Sequence, residues 1–366
     1  MTNFPCDAEA NLLNADLFPA SGGPPHELFD AWREADPVHW NPPVAAYNQG
    51  RSHSLVHKGF WVLTRYQDVF EVSRDQSRFT SHDEGFLIWD LDDAELARQQ
   101  ANFMGLRPED HQRMRHLVMP PFSPKAMVDL KPRIEQLAKD IINSVRPDGS
   151  CEFVFDVASK LPVYTFCEIM GIPESMRDRV VALGNAMADV ENAVAGHETT
   201  RSTGAHFIQM MNEHPDQYQL LRSDVDRYLP NAIEEVLRFH SPTTQFRRTA
   251  TLDTDIAGVP VRKGDKIYMS YAAANRDPEV FDNPHVFDIT RDNAHKHLAF
   301  GTGPHVCLGA RLARLELAAL LREILEQLPD IRISGEVKRL RSIWFDAIVQ
   351  LPVTYTDSDA TQQLSG

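Results

Sequence analysis

A single cysteine lies in a setting that favours metal binding. Cys307 follows a glycine-rich turn that contains Gly301 and Gly303, precedes Gly309, and leads into an apolar helical pattern that ends at Leu328. Glycine allows tight turns and a close approach to a flat partner. Because free backbone N–H groups at a helix N-terminus stabilise a thiolate, we expect a lowered thiol pKa at this cysteine. A thiolate is a strong ligand for iron.

The spacing around the cysteine separates this chemistry from a buried structural cysteine, which is the commoner state of a lone thiol. Residues 300–309, FGTGPHVCLG, fit the pattern Phe-Gly-x-Gly-x-His-x-Cys-x-Gly at every position. The chain therefore resembles the cytochrome P-450 superfamily, in which this motif binds haem. The resemblance implies that Cys307 is the axial ligand of the iron in haem b. It also implies that Phe300 and Gly301 lie against the cofactor and that His305 contacts a propionate.

A second motif, AGHETT at residues 195–200, resembles the family segment that crosses the oxygen-binding side of the haem. A zinc-protease motif is excluded, because Arg201 stands where the second histidine would be needed. The resemblance implies that Gly196 leaves room for dioxygen. It further implies that Thr199 hydrogen-bonds dioxygen and that Glu198 relays protons from solvent.

Further positions match family segments that hold the haem propionates. His111 and Arg115 are one helical turn apart and share a face, although a solvated basic face would explain the pair equally well in isolation. They resemble the family's His-x-x-x-Arg helix, whose two side chains hold one propionate. Arg248 aligns with the arginine that binds the second propionate, and Arg247 is the alternative.

Two segments are expected to have a structural role. Glu235 and Arg238 are three residues apart on a helix predicted over Asp224–Phe239, so they can pair. They resemble the family's Glu-x-x-Arg helix, whose ion pair is buried near the loop before the cysteine. Residues 272–291 fit the family's Asn-Arg-Asp-Pro and Phe-Asp-x-x-Arg segment.

The resemblance places apolar residues from several segments around the substrate. Gly85–Leu91, GFLIWDL, is an apolar run in an acidic, loop-like setting, and a core patch explains it equally well. The expected pocket residues are Phe86, Leu87, Ile88, Trp89, Ala195, Thr243, Thr244, Gln245, Phe246, Ile343, Trp344 and Phe345. They suggest an apolar, medium-to-large substrate, with Thr244 or Gln245 able to bind a hydroxyl or carbonyl group.

The resemblance implies the cytochrome P-450 fold, which is mainly α with a small β region, in a single domain over residues 1–366. A β-rich part is expected at about 37–90 and a helical, haem-binding part at about 91–366. The haem would lie between a long central helix and the cysteine-loop helix. Local patterns predict helices at His26–Asp36 and Tyr66–Ser73 and strands at Phe60–Arg65, Asp255–Val259 and Lys266–Tyr271.

The segment before the second motif is shorter than the family pattern. Relatives place on the order of fifty more residues between the region of Gly171 and this motif, forming two lid helices and the first half of the central helix. Residues 177–193 leave room for almost none of them. We expect that a lid segment is missing from the printed sequence near residues 190–194 and is not deleted from the protein, because an uncovered haem pocket would be open to water.

Composition narrows the class of protein. The chain has 366 residues, 42% of them hydrophobic and 24% charged, as in ordinary globular proteins. There is no apolar run near the ~20 residues of a membrane span and no signal-peptide pattern, so we expect a cytoplasmic monomer without a membrane anchor. The four cysteines are far apart, which suits a reducing compartment. A net charge of −15 argues against nucleic acid as a partner.

The resemblance implies a monooxygenase that inserts one atom of dioxygen into a C–H bond of a terpenoid, steroid or aliphatic substrate. Because no flavin or iron–sulfur pattern occurs, electrons would come from NAD(P)H through ferredoxin reductase and ferredoxin. Basic residues expected on the cysteine side could bind the ferredoxin, with ordinary solvated charges as the alternative. These residues are Arg107, Arg113, Lys125, Lys296, Arg311 and Arg314.

Three other functions stay open at this level. A haem-thiolate peroxygenase would more often replace the pair Glu198 and Thr199, and a haem-containing sensor or ligand-binding protein needs no proton relay. A haem-free helical binding protein would need Cys307, Arg115 and Arg248 to match the family by accident.

Overall fold

The computed structural model describes residues 10–18, 23–43, 58–188 and 198–356. The helices are α1 (His26–Ala35), α2 (Tyr66–Arg74), α3 (Asp93–Ala101), α4 (Pro108–Val118), α5 (Pro124–Val145), α6 (Lys160–Met170), α7 (Arg177–Ala188), α8 (Glu198–Glu213), α9 (Pro215–Ser223), α10 (Val225–Phe239), α11 (Tyr271–Ala274) and α12 (Ala310–Gln327). The strands are β1 (Val38–Asn41), β2 (Phe60–Leu63), β3 (Phe79–Thr80), β4 (Ser150–Glu152), β5 (Gln245–Ala250), β6 (Thr254–Ile256), β7 (Val259–Val261), β8 (Lys266–Ser270), β9 (Arg332–Ile333), β10 (Lys338–Arg339), β11 (Ile348–Gln350) and β12 (Pro352–Thr354).

The largest core lies among the helices α5, α8, α10 and α12. On α5, Ile134, Leu137 and Ile141 recur at helical intervals and form a buried stripe. This stripe packs against α12, where Leu317 and Leu321 are buried in the same cluster. α8 and α10 complete the core, so the helix after the cysteine loop is held on several sides.

The main sheet joins two distant parts of the sequence. Its strand order is β1-β2-β8-β5-β3, with β2 and β8 parallel and the other pairs antiparallel. Residues 38–80 therefore supply three strands and residues 245–270 supply the two between them. Successive residues of β5 face opposite sides of this sheet. Strand β8 is buried throughout, because other elements cover both of its faces.

The predicted fold class is confirmed, and most local predictions agree with the structure. α1, α2 and α10 begin and end within one residue of the predicted bounds. The single strand predicted over Asp255–Val259 is wrong. Ala257 and Gly258 have φ values of 49° and 82°, so the chain reverses there and forms the hairpin β6–β7.

Gly85–Leu91 forms a loop, as predicted, yet Phe86 and Ile88 within it are buried.

Among the helices of the described residues, none has the length and apolar character that a membrane span requires.

Candidate active site around Cys307

The cysteine loop is an ordered turn that is closed by its own backbone. The N–H of Cys307 donates to the carbonyl of Phe300 at 2.8 Å, and α12 begins three residues later at Ala310. Gly303 has a φ of +71°, and a Cβ there would lie 2.9 Å from the Arg74 side chain. The turn and its contact with α2 therefore require glycine at this position.

The thiol of Cys307 differs from the sequence prediction in its pKa. Its side chain is exposed, but the protein around it removes enough water for burial to raise the thiol pKa. The N–H of Gly309, followed by Arg115 and Arg314, acts in the opposite direction. The backbone donor therefore lowers the thiol pKa, as expected, but this lowering is smaller than the increase that burial causes.

Glu235 and Arg238 form a buried ion pair, in the arrangement that the Glu-x-x-Arg pattern implies. Arg238 donates to the two carboxylate oxygens of Glu235 at 2.7 and 2.8 Å, and Arg291 adds a bond to Glu235 at 3.2 Å. Arg238 also donates to the carbonyl of Asn275 at 2.9 Å. The Asn275 side chain accepts from the Leu298 N–H at 2.6 Å. The cluster thus fixes the chain just before the cysteine loop.

The neighbouring Glu234 connects α10 to the helix after the cysteine. Arg314 donates two hydrogen bonds to it, at 2.6 and 2.7 Å, and its guanidinium lies over the Phe300 ring at 4.5 Å from the ring centre. Burial alone would raise the pKa of Glu234, but hydrogen bonds from Arg314 and His297 lower it to about 2. Arg314 is therefore engaged within the protein, although the sequence suggested it as a docking charge.

Hydrogen-bond donors from three elements gather beside the cysteine loop. The ring of His111 on α4 stacks on that of His305, with 4.1 Å between the ring centres. Arg248 of β5 is 2% exposed and donates to the carbonyl of Arg247 at 2.9 Å. Burial, followed by the charges of Arg248 and His111 and then Arg115, lowers the pKa of His305 to about 2. The structure therefore brings together the four residues predicted to hold propionates.

This donor set has unmet hydrogen-bonding capacity. In the described chain, neither Arg115 nor Arg248 is ion-paired with a carboxylate. His111 Nε2 and His305 Nδ1 are buried, and no group among the described residues forms a hydrogen bond with either atom. Buried polar groups are costly unless a partner satisfies them. A ligand with two carboxylates would accept hydrogen bonds from these groups, and haem has two carboxylates in its propionates. Because the exposed thiol of Cys307 lies beside the donors, the residues present fit haem.

The two consecutive arginines of β5 face opposite sides of the sheet, and this decides between them. Arg248 acts electrostatically on His111 and His305. Arg247 instead donates to the carbonyl oxygens of Leu87 and Trp89, at 3.2 Å each. Arg248 is therefore the arginine that belongs to the donor set, and Arg247 belongs to the substrate-loop side.

The second motif is only partly within the described residues. Ala195 and Gly196 lie outside them, and α8 begins at Glu198. Glu198 is 3% exposed and forms an ion pair with the equally buried Arg201 on the same helix. The predicted proton relay would therefore start from a buried, paired carboxylate. The hydroxyl of Thr203 donates to the carbonyl of Thr199 at 2.9 Å, one turn along α8.

The described residues of the predicted substrate pocket form one group. Thr244 donates to the carbonyls of Ile343 and Trp344, at 2.8 and 2.9 Å, and Thr243 pairs with Phe345. The Phe246 ring lies 6.4 Å from Phe86 and 6.2 Å from Trp344, measured between ring centres. Ile88 packs in one cluster with Ile343. Leu87 and Trp89 belong to the same loop as Phe86, and Gln245 is buried at the start of β5.

Sequence analysis missed a buried cluster behind this group. Asp346 accepts from His240 Nδ1 at 2.7 Å and from Arg339 at 2.8 Å, and the ring of His206 stacks on that of His240. One ligand atom from each of His206, His240 and Asp346 lies within 4.8 Å of the others. Because Arg339 already neutralises the carboxylate, the arrangement is a hydrogen-bonded cluster. An acidic residue within the apolar hairpin segment was the available signal.

Known proteins are similar to this chain in sequence and in fold. The family model for cytochrome P450 matches residues 185–350. A steroid C26-monooxygenase of Rhodococcus jostii is 30% identical, over 90% of this chain and 82% of the relative. A methyl-branched lipid omega-hydroxylase of Mycobacterium bovis is 30% identical, over 81% and 84%. The crystal structure of a Mycobacterium marinum cytochrome P450 in complex with pseudoionone has a TM-score of 0.80 and 30% identity, over 90% and 94%.

The chain therefore belongs to the cytochrome P450 family, whose fold and cysteine motif it contains. Within that family it is an oxidoreductase of the monooxygenase class, to which the steroid C26-monooxygenases among its relatives belong.

The relatives also contain residues that this chain lacks. The alignment with the Rhodococcus protein is 394 positions long, although it includes only 90% of this chain of 366 residues. The remaining aligned positions are gaps in this chain. The relative therefore has several dozen residues without a counterpart here. The join that we predict near residues 190–194 lies outside the described residues, so its position stays a prediction.

Proposed function

We propose that this protein is a haem-thiolate monooxygenase that hydroxylates an apolar small molecule of the terpenoid, steroid or aliphatic class, with electrons from NAD(P)H delivered by ferredoxin reductase and a ferredoxin. The observation that carries the proposal is the donor set beside Cys307. Arg115, Arg248, His111 and His305 converge there without a carboxylate partner in the described chain.

Haem b would supply dioxygen activation when it is bound. Cys307 would hold the iron through its sulfur, and the four donors would hold the two propionates. The bonds between Glu234 and Arg314 join α10 to α12, the helix that follows the cysteine loop. Gly301, with a φ of +67°, and Phe300 would lie beside the cofactor ring.

Proton delivery would come from the N-terminal turn of α8. Glu198 is adjacent to Thr199, whose hydroxyl would donate to the oxygen substrate. The Glu198 carboxylate, which is paired with Arg201, would accept a proton and pass it on to this hydroxyl. A peroxide-driven enzyme would more often replace this acid and alcohol pair, so its presence favours the monooxygenase.

The substrate would be bound mainly by aromatic and aliphatic side chains. Phe86, Phe246 and Trp344 supply an aromatic surface. Trp344 Nε1 and Gln245 Oε1 are buried, and neither has a hydrogen-bond partner within the part of the chain that the structure describes. These two atoms can bind a hydroxyl or carbonyl group on a molecule that is otherwise apolar. The hydroxyl of Thr244, by contrast, already donates to Ile343.

A ferredoxin would bind on the cysteine side. Of the six basic residues expected there, Arg107 and Arg113 are paired with Asp110 at the surface, and Arg314 is paired with Glu234. Lys125, Lys296 and Arg311 are therefore the charges that we expect to contribute most to docking.

Two measurements test the proposal. Haem-supplemented, reduced protein under carbon monoxide should give the red-shifted absorption band of a thiolate-ligated haem. With a ferredoxin, its reductase and NAD(P)H, a panel of terpenes, steroids and fatty acids should yield a hydroxylated product. Colourless protein would overturn the haem assignment. Product formed only with added peroxide would overturn the monooxygenase assignment in favour of a peroxygenase.

A further inference from the structure

A loop on the substrate side is held by two buried cations. Arg247 of β5 and Lys266 of β8 are each 1% exposed. In the β5–β8 pairing, Lys266 is opposite Thr249, two residues from Arg247, so both side chains are on the same face of the sheet. Both contact the same stretch of chain, Gly85–Leu91, which has no regular secondary structure.

The contacts are made to consecutive main-chain carbonyls. The N–H of Arg247 donates to Phe86 O at 3.1 Å, and its guanidinium donates to Leu87 O and Trp89 O, both at 3.2 Å. Lys266 Nζ donates to the intervening Ile88 O at 3.3 Å. Four successive carbonyls are thus bound by groups from two neighbouring strands.

Further contacts fix both ends of the loop. Lys266 forms an ion pair with Asp90. At the other end, Gln99 Oε1 accepts from the Phe86 N–H at 3.2 Å, next to Gly85 with its φ of +83°. A Cβ on Gly85 would lie 2.4 Å from the Gln99 side chain, so this end requires glycine.

Burying two cations is unfavourable without compensation. Burial lowers the pKa of Lys266 to about 8 and that of Arg247 to about 10, in each case against the charge of Asp90. Because carbonyl dipoles compensate buried charge, the loop and the cations stabilise each other only in this arrangement. The side chains of the loop then have fixed directions, with Phe86 next to Phe246.

We propose that Arg247 and Lys266 are positioning residues that hold the loop Gly85–Leu91 as a fixed wall of the substrate site and thereby set its selectivity for substrate shape. This role in selectivity rests on the proposed function. The anchoring itself is a property of the protein and can be measured without turnover.

The test compares Arg247→Gln, Arg247→Lys and Lys266→Met with Arg33→Gln. Arg33 is a matched control, because it is also buried and also donates to two main-chain carbonyls, those of Thr64 and Ala273, away from the loop. Each purified, haem-supplemented variant would be examined by hydrogen exchange, by its reduced carbon-monoxide spectrum, and by ligand titration with compact and elongated apolar molecules.

We expect exchange of the peptide covering residues 85–91 to become about tenfold faster in Arg247→Gln and Lys266→Met, as the loss of charge-assisted hydrogen bonds predicts. Exchange of residues 300–309 and the carbon-monoxide spectrum should not change. The ratio of dissociation constants for the two ligand shapes should change by a similar factor. Arg247→Lys keeps the charge but not the forked geometry, so it should restore part of both effects.

Two results would overturn the proposal. One is loop exchange that rises no more than in Arg33→Gln. The other is a faster-exchanging loop with an unchanged ratio of dissociation constants. If Arg247→Gln does not fold, Arg247→Lys and Lys266→Met decide the same two points. Failure of the proposed function is seen separately, as a missing thiolate spectrum in the parent protein.

Discussion

The cysteine side and the substrate side of this protein differ in what their cations bind. Around Cys307, cations pair with carboxylates, as in Glu235 with Arg238 and Glu234 with Arg314, although Arg238 also donates to the carbonyl of Asn275. Around Gly85–Leu91, the cations donate mainly to main-chain carbonyls, and the ion pair of Lys266 with Asp90 is the exception among the described contacts. A side-chain ion pair needs two particular residue types, whereas every residue has a carbonyl. The first arrangement therefore fixes residue identity, and the second allows the loop sequence to vary while its shape is kept.

The largest effect is expected from Cys307→Ser, which removes the proposed iron ligand. We expect loss of the red-shifted carbon-monoxide band and of hydroxylation, because a serine hydroxyl does not replace a thiolate. If the two sides are held independently, hydrogen exchange of residues 85–91 will stay at the parent rate. Retention of both the band and the activity would place the ligand elsewhere.

The next effect is a loss of stability on the cysteine side. Arg238→Met leaves the buried Glu235 with Arg291 as its cationic partner and with the N–H of Asp288 as a second donor in the described chain. We expect the free energy of unfolding to fall by ~3–5 kcal/mol, with weaker haem retention. Arg322→Met is the control, because Arg322 also pairs with a carboxylate of α10, that of Asp226, but this pair is exposed. It should cost only about 0–1 kcal/mol in urea unfolding. Equal losses would contradict the role of burial.

A smaller effect is expected for Thr199→Ala on the oxygen side. Electron consumption should continue while hydroxylated product falls by roughly tenfold and peroxide or water rises, because the proton route is impaired. The measurement is product formed per NAD(P)H oxidised. Thr203→Ala, one turn along α8, is the control, since its hydroxyl bonds only to the helix backbone among the described contacts. Unchanged coupling in Thr199→Ala would count against the relay.

The last effect is a pH dependence of stability, and it concerns an acid on the cysteine side for which the described residues supply no ion-paired cation. Burial raises the pKa of Glu316 to about 8, with the nearby Thr165 hydroxyl as a smaller opposing cause. The folded protein then binds a proton that the unfolded chain releases above pH ~4.5. Stability should therefore fall as pH rises from about 5 to 8, with a slope approaching ~1.4 kcal/mol per pH unit from this group.

Glu316→Gln should remove that contribution, because glutamine does not ionise. Urea unfolding of both proteins at pH 5.5 and 7.5 measures the difference. If the parent protein and the variant have the same pH dependence, Glu316 is ionised in the folded state. The cysteine side would then contain a buried carboxylate that is charged without an ion-paired cation among the described residues.

Sequence alone predicted the cysteine side better than the substrate side, for a physical reason. Cys307, Glu235 and Arg238 are recognisable because their chemistry requires those residue types at fixed spacing. Arg247 and Lys266 bind main-chain carbonyls, which every residue type has, so the sequence of the loop does not reveal these contacts. Alternation along β5 indicates that Arg247 and Arg248 face opposite sides, but only the packed sheet shows which side is which.

The hairpin at β6–β7 and the cluster around Asp346 were missed for related reasons. Ala257 has a positive φ, which is not expected for alanine and so could not be predicted from the sequence. The partners of Asp346, among them His206 and Arg339, come from segments more than a hundred residues apart or from across a turn, so sequence spacing carries no information about them.

The two neighbouring arginines of β5 limit how this strand can change during evolution. Because orientation alternates along a strand, gaining or losing one residue before Arg247 would send each guanidinium to the other's side. One such insertion or deletion would therefore impair both the binding of the cofactor and the selectivity for ligands. We therefore expect orthologues to tolerate substitutions within this strand far more readily than any insertion or deletion.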